Sequence, residues 1–126
     1  MVTLASGPTS SLAEEQQVTR NLLKLLQQEQ GKLIEASIVG LPELIQAKAL
    51  AVAHLTTLTK ARHALLDAAG FAASESGMRN WIAEHQPADT EWGALLAVGD
   101  EAREMNRING MLIGRHMMRN QTELNI

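Results

Sequence analysis

Residues 42–69 read PELIQAKALAVAHLTTLTKARHALLDAA and place Leu44, Ala51, Leu58 and Leu65 at seven-residue intervals, with Leu55 and the small Ala47 and Ala61 beside that line. An apolar repeat of seven kept over about three heptads gives a helix one side that another helix must cover, and alanine lets the two backbones come close. Gly70 ends the run. Upstream, Gly40 can take the left-handed conformation that stops a helix, and Pro42 suits the first turn of the next, where its missing N–H has no partner to lose. The chain is therefore expected to reverse sharply between Gly40 and Pro42.

Before that turn, Val18, Leu22, Leu23, Leu25, Leu26, Leu33 and Ile34 follow steps of three and four, with Glu, Gln and Lys between them, which is the pattern of an amphipathic helix. Ser11 and Glu14 have the spacing of a capping box at its start. Gly31 is a soft spot that costs about 1 kcal/mol relative to Ala. Met1–Ser10 (MVTLASGPTS) has no apolar period, so a flexible N-terminal arm without function is expected at residues 1–10. Beyond Gly70, the irregular stretch FAASESGMRNWIAEHQP holds at most a short helix that stops at Pro87. Asp89 and Glu91 then suit the start of a last helix, where negative charge favours the helix dipole. Leu95, Val98, Ala102, Met105, Asn109, Leu112 and His116 mark its stripe, and Gly93, Gly99, Gly110 and Gly114 within it point to close packing, fraying or both. No repeat of 20 to 50 residues is visible, which excludes a solenoid.

The expected fold is all-α: an elongated antiparallel helical bundle of three long helices, at about 11–37, 42–69 and 89–125, plus a short connecting helix at 78–86. Residues 11–126 form a single domain in this reading. Composition agrees, because a chain of 126 residues has room for one domain, and 45% apolar content with only 2% aromatics (Trp81, Trp92 and Phe71, no Tyr) is bundle material rather than sheet. A net charge of -3 is too balanced to attract nucleic acid or anionic lipid. No apolar stretch approaches the roughly 20 residues of a membrane span, no signal peptide is visible, and the absence of Cys fits a reducing compartment. A cytoplasmic protein that neither inserts in membranes nor binds nucleic acid is expected.

Chemistry is sparse. His54, His63, His85 and His116 lack the i, i+4 spacing of a helical zinc site, no serine sits in a G-x-S-x-G elbow, and the glycines form no phosphate cradle. Pairs such as Glu14 with Glu15, or Glu101 with Glu104, read as solvated helix surface. Arg103, Arg107, Arg115 and Arg119 are interrupted by glutamates and lack interleaved aromatics for base stacking. No catalytic, metal or cofactor residue is assigned, and no enzymatic activity is expected.

The last helix is odd in one respect, since Asn106, Asn109, Asn120 and His116 lie on or beside its apolar stripe. They either fix register inside a bundle seam, as buried Asn does in coiled coils, or offer donors and acceptors on a half-open groove to a partner helix. Met105, Met111, Met117 and Met118 crowd the same stretch, and methionine suits surfaces that repack around helical partners.

The run Asn106-Arg-Ile-Asn109-Gly110-Met-Leu112-Ile113, followed by Asn120 and Leu124, resembles the C-terminal signature of the FlgN family of flagellar export chaperones, an N-x-x-N-G-x-L-[LI] run leading to a second Asn and a leucine-bearing helical tail. A lysine and leucines near Lys48, Leu55 and Leu58 add a more diffuse likeness. The resemblance implies a cytosolic chaperone that binds the helical C-terminal segments of hook-associated proteins, keeps them unpolymerised and passes them to the flagellar type III export machinery. It implies a client-facing stripe of Asn106, Asn109, Gly110, Leu112, Ile113, Met117, Asn120 and Leu124. The chain has no Tyr through which a tail could make an aromatic gate contact. Two rivals stand beside it: a helical interaction or regulatory module that self-associates through its last helix, and a small helical enzyme using His116 and the Asn cluster. The oligomeric state stays open at this point.

Overall fold

The computed structural model describes residues 7–124, with side chains as far as residue 119. Four helices account for nearly all of this span: α1 (Leu12–Glu35), α2 (Leu41–Ala68), α3 (Glu75–Glu84) and α4 (Asp89–Leu124). The central element is α1, which packs against both α2 and α4, while those two make no close backbone approach to each other. Pairs Glu15–Arg62 and Glu29–Lys48 make α2 antiparallel to α1, whereas Asn109 against Leu26 and His116 against Leu33 make α4 parallel to it. Short α3 returns the chain to the start of α1, so the bundle runs up, down and up.

Local chemistry moves several boundaries. At the start of α1, Ser11 does not cap the backbone; its hydroxyl donates to Glu15 at 2.8 Å, and Glu14 instead meets His54 at 3.1 Å. Of the expected arm, residues 1–6 lie outside the described residues, while Gly7–Ser10 form a turn that buries Pro8. The first helix ends at Glu35 rather than 37, because Ala36 adopts a left-handed conformation (φ 56°) and Ser37 N–H closes back on the Lys32 carbonyl. Gly40 (φ 77°) then opens α2, with Pro42 in its first turn as expected. The third helix begins at Glu75, three residues before the expected position, since the Ser74 hydroxyl accepts from Gly77 N–H at 3.0 Å and caps it there. Gly77 is required at that point: a Cβ would stand 1.9 Å from the Ala72 carbonyl oxygen.

The heptad line of α2 is only half of its packed face. Ala51 is buried, whereas Leu44, Leu58 and Leu65 are half-buried, and the alternate positions toward α1 hold Lys48, Leu55 and Arg62. Two of those three are charged, and each meets a carboxylate from α1. The same two-heptad spacing separates Glu15 from Glu29 and Lys48 from Arg62, so both ion pairs form in one register and in no other. The apolar core gathers at the end closed by α3, where Leu12, Leu66, Met78, Ile82, Trp92 and Leu95 pack together with Val98. At the opposite end, around the α1–α2 turn, Ile34, Ile38 and Val39 are exposed.

Arg62 joins all four helices. Its Nε and Nη2 donate to Glu15 of α1 at 2.9 and 3.2 Å, its guanidinium reaches Glu75 of α3 at 3.1 Å, and its plane lies 4.9 Å from the ring of Trp92 on α4. Arg62 is 3% exposed and Glu15 2%, so neither charge has water to fall back on. Burial alone would push the Arg62 pKa down, but the two carboxylates outweigh it and hold it above its ordinary value. Burial likewise would raise the Glu75 carboxyl; hydrogen bonds and charge from Arg62, with His63 alongside, hold it below the usual glutamate range.

Two outcomes are expected. Arg62→Leu leaves Glu15 buried without a counter-charge and should cost about 3–5 kcal/mol in urea unfolding, whereas Glu15→Leu with Arg62→Leu should recover most of that loss, because two apolar side chains replace a desolvated pair. Equal losses in the two proteins would show that the pair itself is not what is being measured. Because the Glu75 pKa is depressed on folding, its share of stability is present above the unfolded value, near 4.5, and disappears as pH falls through the folded value. Glu75→Gln should therefore flatten the acid limb of a melting-temperature profile; an unchanged acid slope would count against this assignment.

A furrow between the second and fourth helices

The wide separation of α2 and α4 leaves a furrow whose walls are those helices and whose floor is α1. Near α3 it runs between Leu55 and Thr59 on one side and Leu96 and Arg103 on the other, over Glu15 and Thr19. Its middle lies between Val52 and Asn106, over Leu22 and Leu26. It opens at the α1–α2 turn into a pocket of about 410 Å³ between Ile45 on α2 and Ile113 and Met117 on α4, over Leu33. From Glu15 to Leu33 the floor extends for about 27 Å at 1.5 Å per residue, which matches five turns of a helix laid along it.

A polar clasp crosses this furrow from beneath. Asn109 is 1% exposed; its amide nitrogen donates to the Leu26 carbonyl at 2.8 Å and to Glu29 Oε1 at 2.9 Å, and Glu29 also receives Lys48 at 3.1 Å. Both oxygens can only accept, which fixes the orientation of the amide and leaves its own oxygen without a partner. Two turns farther on, the Leu33 carbonyl, which accepts from Ala36 N–H at 3.2 Å where α1 ends, also accepts from His116 Nε2. A carbonyl cannot donate, so this nitrogen carries the hydrogen.

These contacts sort the residues singled out from sequence. Asn109 is not on a client-facing surface: it is sealed inside, in the register-fixing role that the alternative reading gave it, because Glu29 and the Leu26 carbonyl need its donors. Asn106 is exposed and lines the middle of the furrow, Leu112 is half-buried, and Ile113 and Met117 are exposed at the open end. Gly110 is exposed, and a Cβ there would meet nothing within 4 Å; the same holds for Gly93 and Gly114, so close packing does not explain these glycines. The side chains of Asn120 and Leu124 lie outside the described residues.

Sequence reading missed the contribution of α2 and the turn. Ile45 and Val52 are exposed off the heptad line, and Ile38 and Val39, just before the expected turn at Gly40–Pro42, are exposed as well. A signal existed, since apolar residues outside a packed seam need another reason to be there. Two of the arginines along α4 are accounted for locally: Arg103 pairs with Asp100 at 3.0 Å and Arg107 with Glu104 at 2.6 Å, each one turn away. The hydrogen bond from Arg107 holds the Glu104 carboxyl below its ordinary value. Among the described residues no group of three or more His, Asp or Glu is placed to hold a metal ion, and no helix is long and apolar enough to cross a membrane.

No curated protein and no solved structure matches the chain. A family model described as FlgN protein matches residues 1–126, the whole length, including both the Asn109 clasp and the Lys48 that meets it through Glu29. With an all-helical bundle in place and that match end to end, the chain belongs to the FlgN family of flagellar export chaperones.

Proposed function

We propose that this chain binds the helical C-terminal segments of hook-associated proteins in the cytoplasm, keeps them from polymerising before export, and delivers them to the flagellar export machinery without catalysing a reaction. The observation that supports this reading is the exposed apolar wall of the furrow, above all Ile113 and Met117, the latter 66% exposed. A client helix laid there would cover its own apolar face, which is the face that self-assembly would otherwise use. In this proposal Asn106 lines the same furrow, Gly110 and Leu112 flank these residues along α4, and Asn120 and Leu124 continue the helix beyond it.

The arrangement suits moderate, reversible binding. Gly110 and Gly114 sit in the distal half of α4 with open space around them, and each weakens the helix by about 1 kcal/mol relative to alanine. Part of the energy of a client contact is then spent on ordering this segment, which limits affinity and helps release.

Ile113→Glu with Met117→Glu should weaken binding of hook-associated C-terminal segments at least tenfold in calorimetric titration, with far-ultraviolet circular dichroism unchanged because both residues are exposed. Undiminished binding would place the client elsewhere. Sedimentation of the same double variant tests the self-association reading: a wild-type dimer that these substitutions dissociate would favour an oligomerisation face.

A further inference from the structure

The open end of the furrow differs in charge from the rest of it. Near α3, Arg62 is neutralised by Glu15 and Glu75, and in the middle Lys48 is neutralised by Glu29. The pocket at the α1–α2 turn is lined by Lys32, His116 and Arg119, and by no carboxylate. Its apolar surface comes from Leu33, Leu41, Ile45, Ile113 and Met117, and Ile38, 80% exposed, stands at its mouth. Ala36, the one described non-glycine residue with positive φ, also lines it. An apolar pocket with two cationic side chains and no acid selects an occupant that is apolar and negatively charged at one point.

We infer that this pocket receives the last residues of the client chain, with the client's free α-carboxylate facing Lys32 and Arg119 and its terminal apolar side chains against Ile45, Ile113 and Met117. The inference rests on the client reading above and adds what sets the client's position along the furrow. A C-terminal helix carries its negative dipole end and its unpaired carbonyls at the same place as the α-carboxylate, so cations there act on all three. Charge-assisted bonds from an arginine or lysine to a carboxylate also fix position more sharply than apolar contact does. The client helix would therefore lie parallel to α1 and α4, ending where α1 ends.

The test is a calorimetric titration of the full chain with one hook-associated C-terminal peptide in two forms, free acid and C-terminal amide. Amidation should weaken binding to the wild-type chain about tenfold, as expected for loss of a charge-assisted bond at a partly exposed site. In a Lys32→Gln, Arg119→Gln variant of unchanged helicity, the two forms should bind alike and as weakly as the amide binds wild type. Equal affinities for acid and amide in the wild-type chain would overturn the anchoring, and so would a tenfold preference that persists in the variant. If neither form binds the wild-type chain, the client reading itself fails, which is a different result from equal binding of both.

Discussion

A buried guanidinium holds this bundle in one arrangement. Arg62 is desolvated, and desolvation is repaid only when Glu15, Glu75 and the face of Trp92 stand around it together, which requires α1, α3 and α4 to be in place at once. Apolar seams alone tolerate sliding by a turn, because one leucine replaces another at small cost. A charge does not. Two heptads along, Lys48 and Glu29 repeat the constraint, and since both pairs share one register, slippage of α2 against α1 would strand four charges.

The two ends of the bundle are consequently unlike. Toward α3, the core closes over Leu12, Leu66, Met78 and Trp92, and Gly77 packs so tightly under Ala72 that no side chain fits. Toward the α1–α2 turn, polar bonds also tie α4 to α1, Asn109 to Leu26 and Glu29 and His116 to Leu33, while apolar side chains of α2 and α4 look across an unfilled gap. The buried apolar core is concentrated at one end and exposed apolar surface at the other.

Much of this fold was legible in the sequence. Three long helices, a short fourth and the turn at Gly40–Pro42 follow from periodicity and from the special backbone residues, which act locally. The start of α3 was not, because Ser74 caps it only once Gly77 is packed beneath Ala72. Nor was the role of Glu15 and Glu29: read singly, glutamates between leucines look like solvated surface, and only the pairing of their two-heptad spacing with that of Lys48 and Arg62 brings them inside. Asn109 was flagged as odd for the right reason, a polar group on an apolar stripe, but periodicity cannot tell an inward amide from an outward one. The α2 wall of the furrow stayed hidden because a missing neighbour leaves no mark on the helix that lacks it.

Asn109 stands at the middle of the signature by which this chain is recognisable, and it is inside. The clasp it makes ties two of the chain's own helices together, while the side chains facing outward along the gap are ones whose replacement disturbs little of the interior, with surface changes of this kind usually costing no more than about 0.5 kcal/mol. A bundle built in this way can accept changes at Ile45, Ile113 or Met117 while the clasp through Asn109 keeps its helices in place.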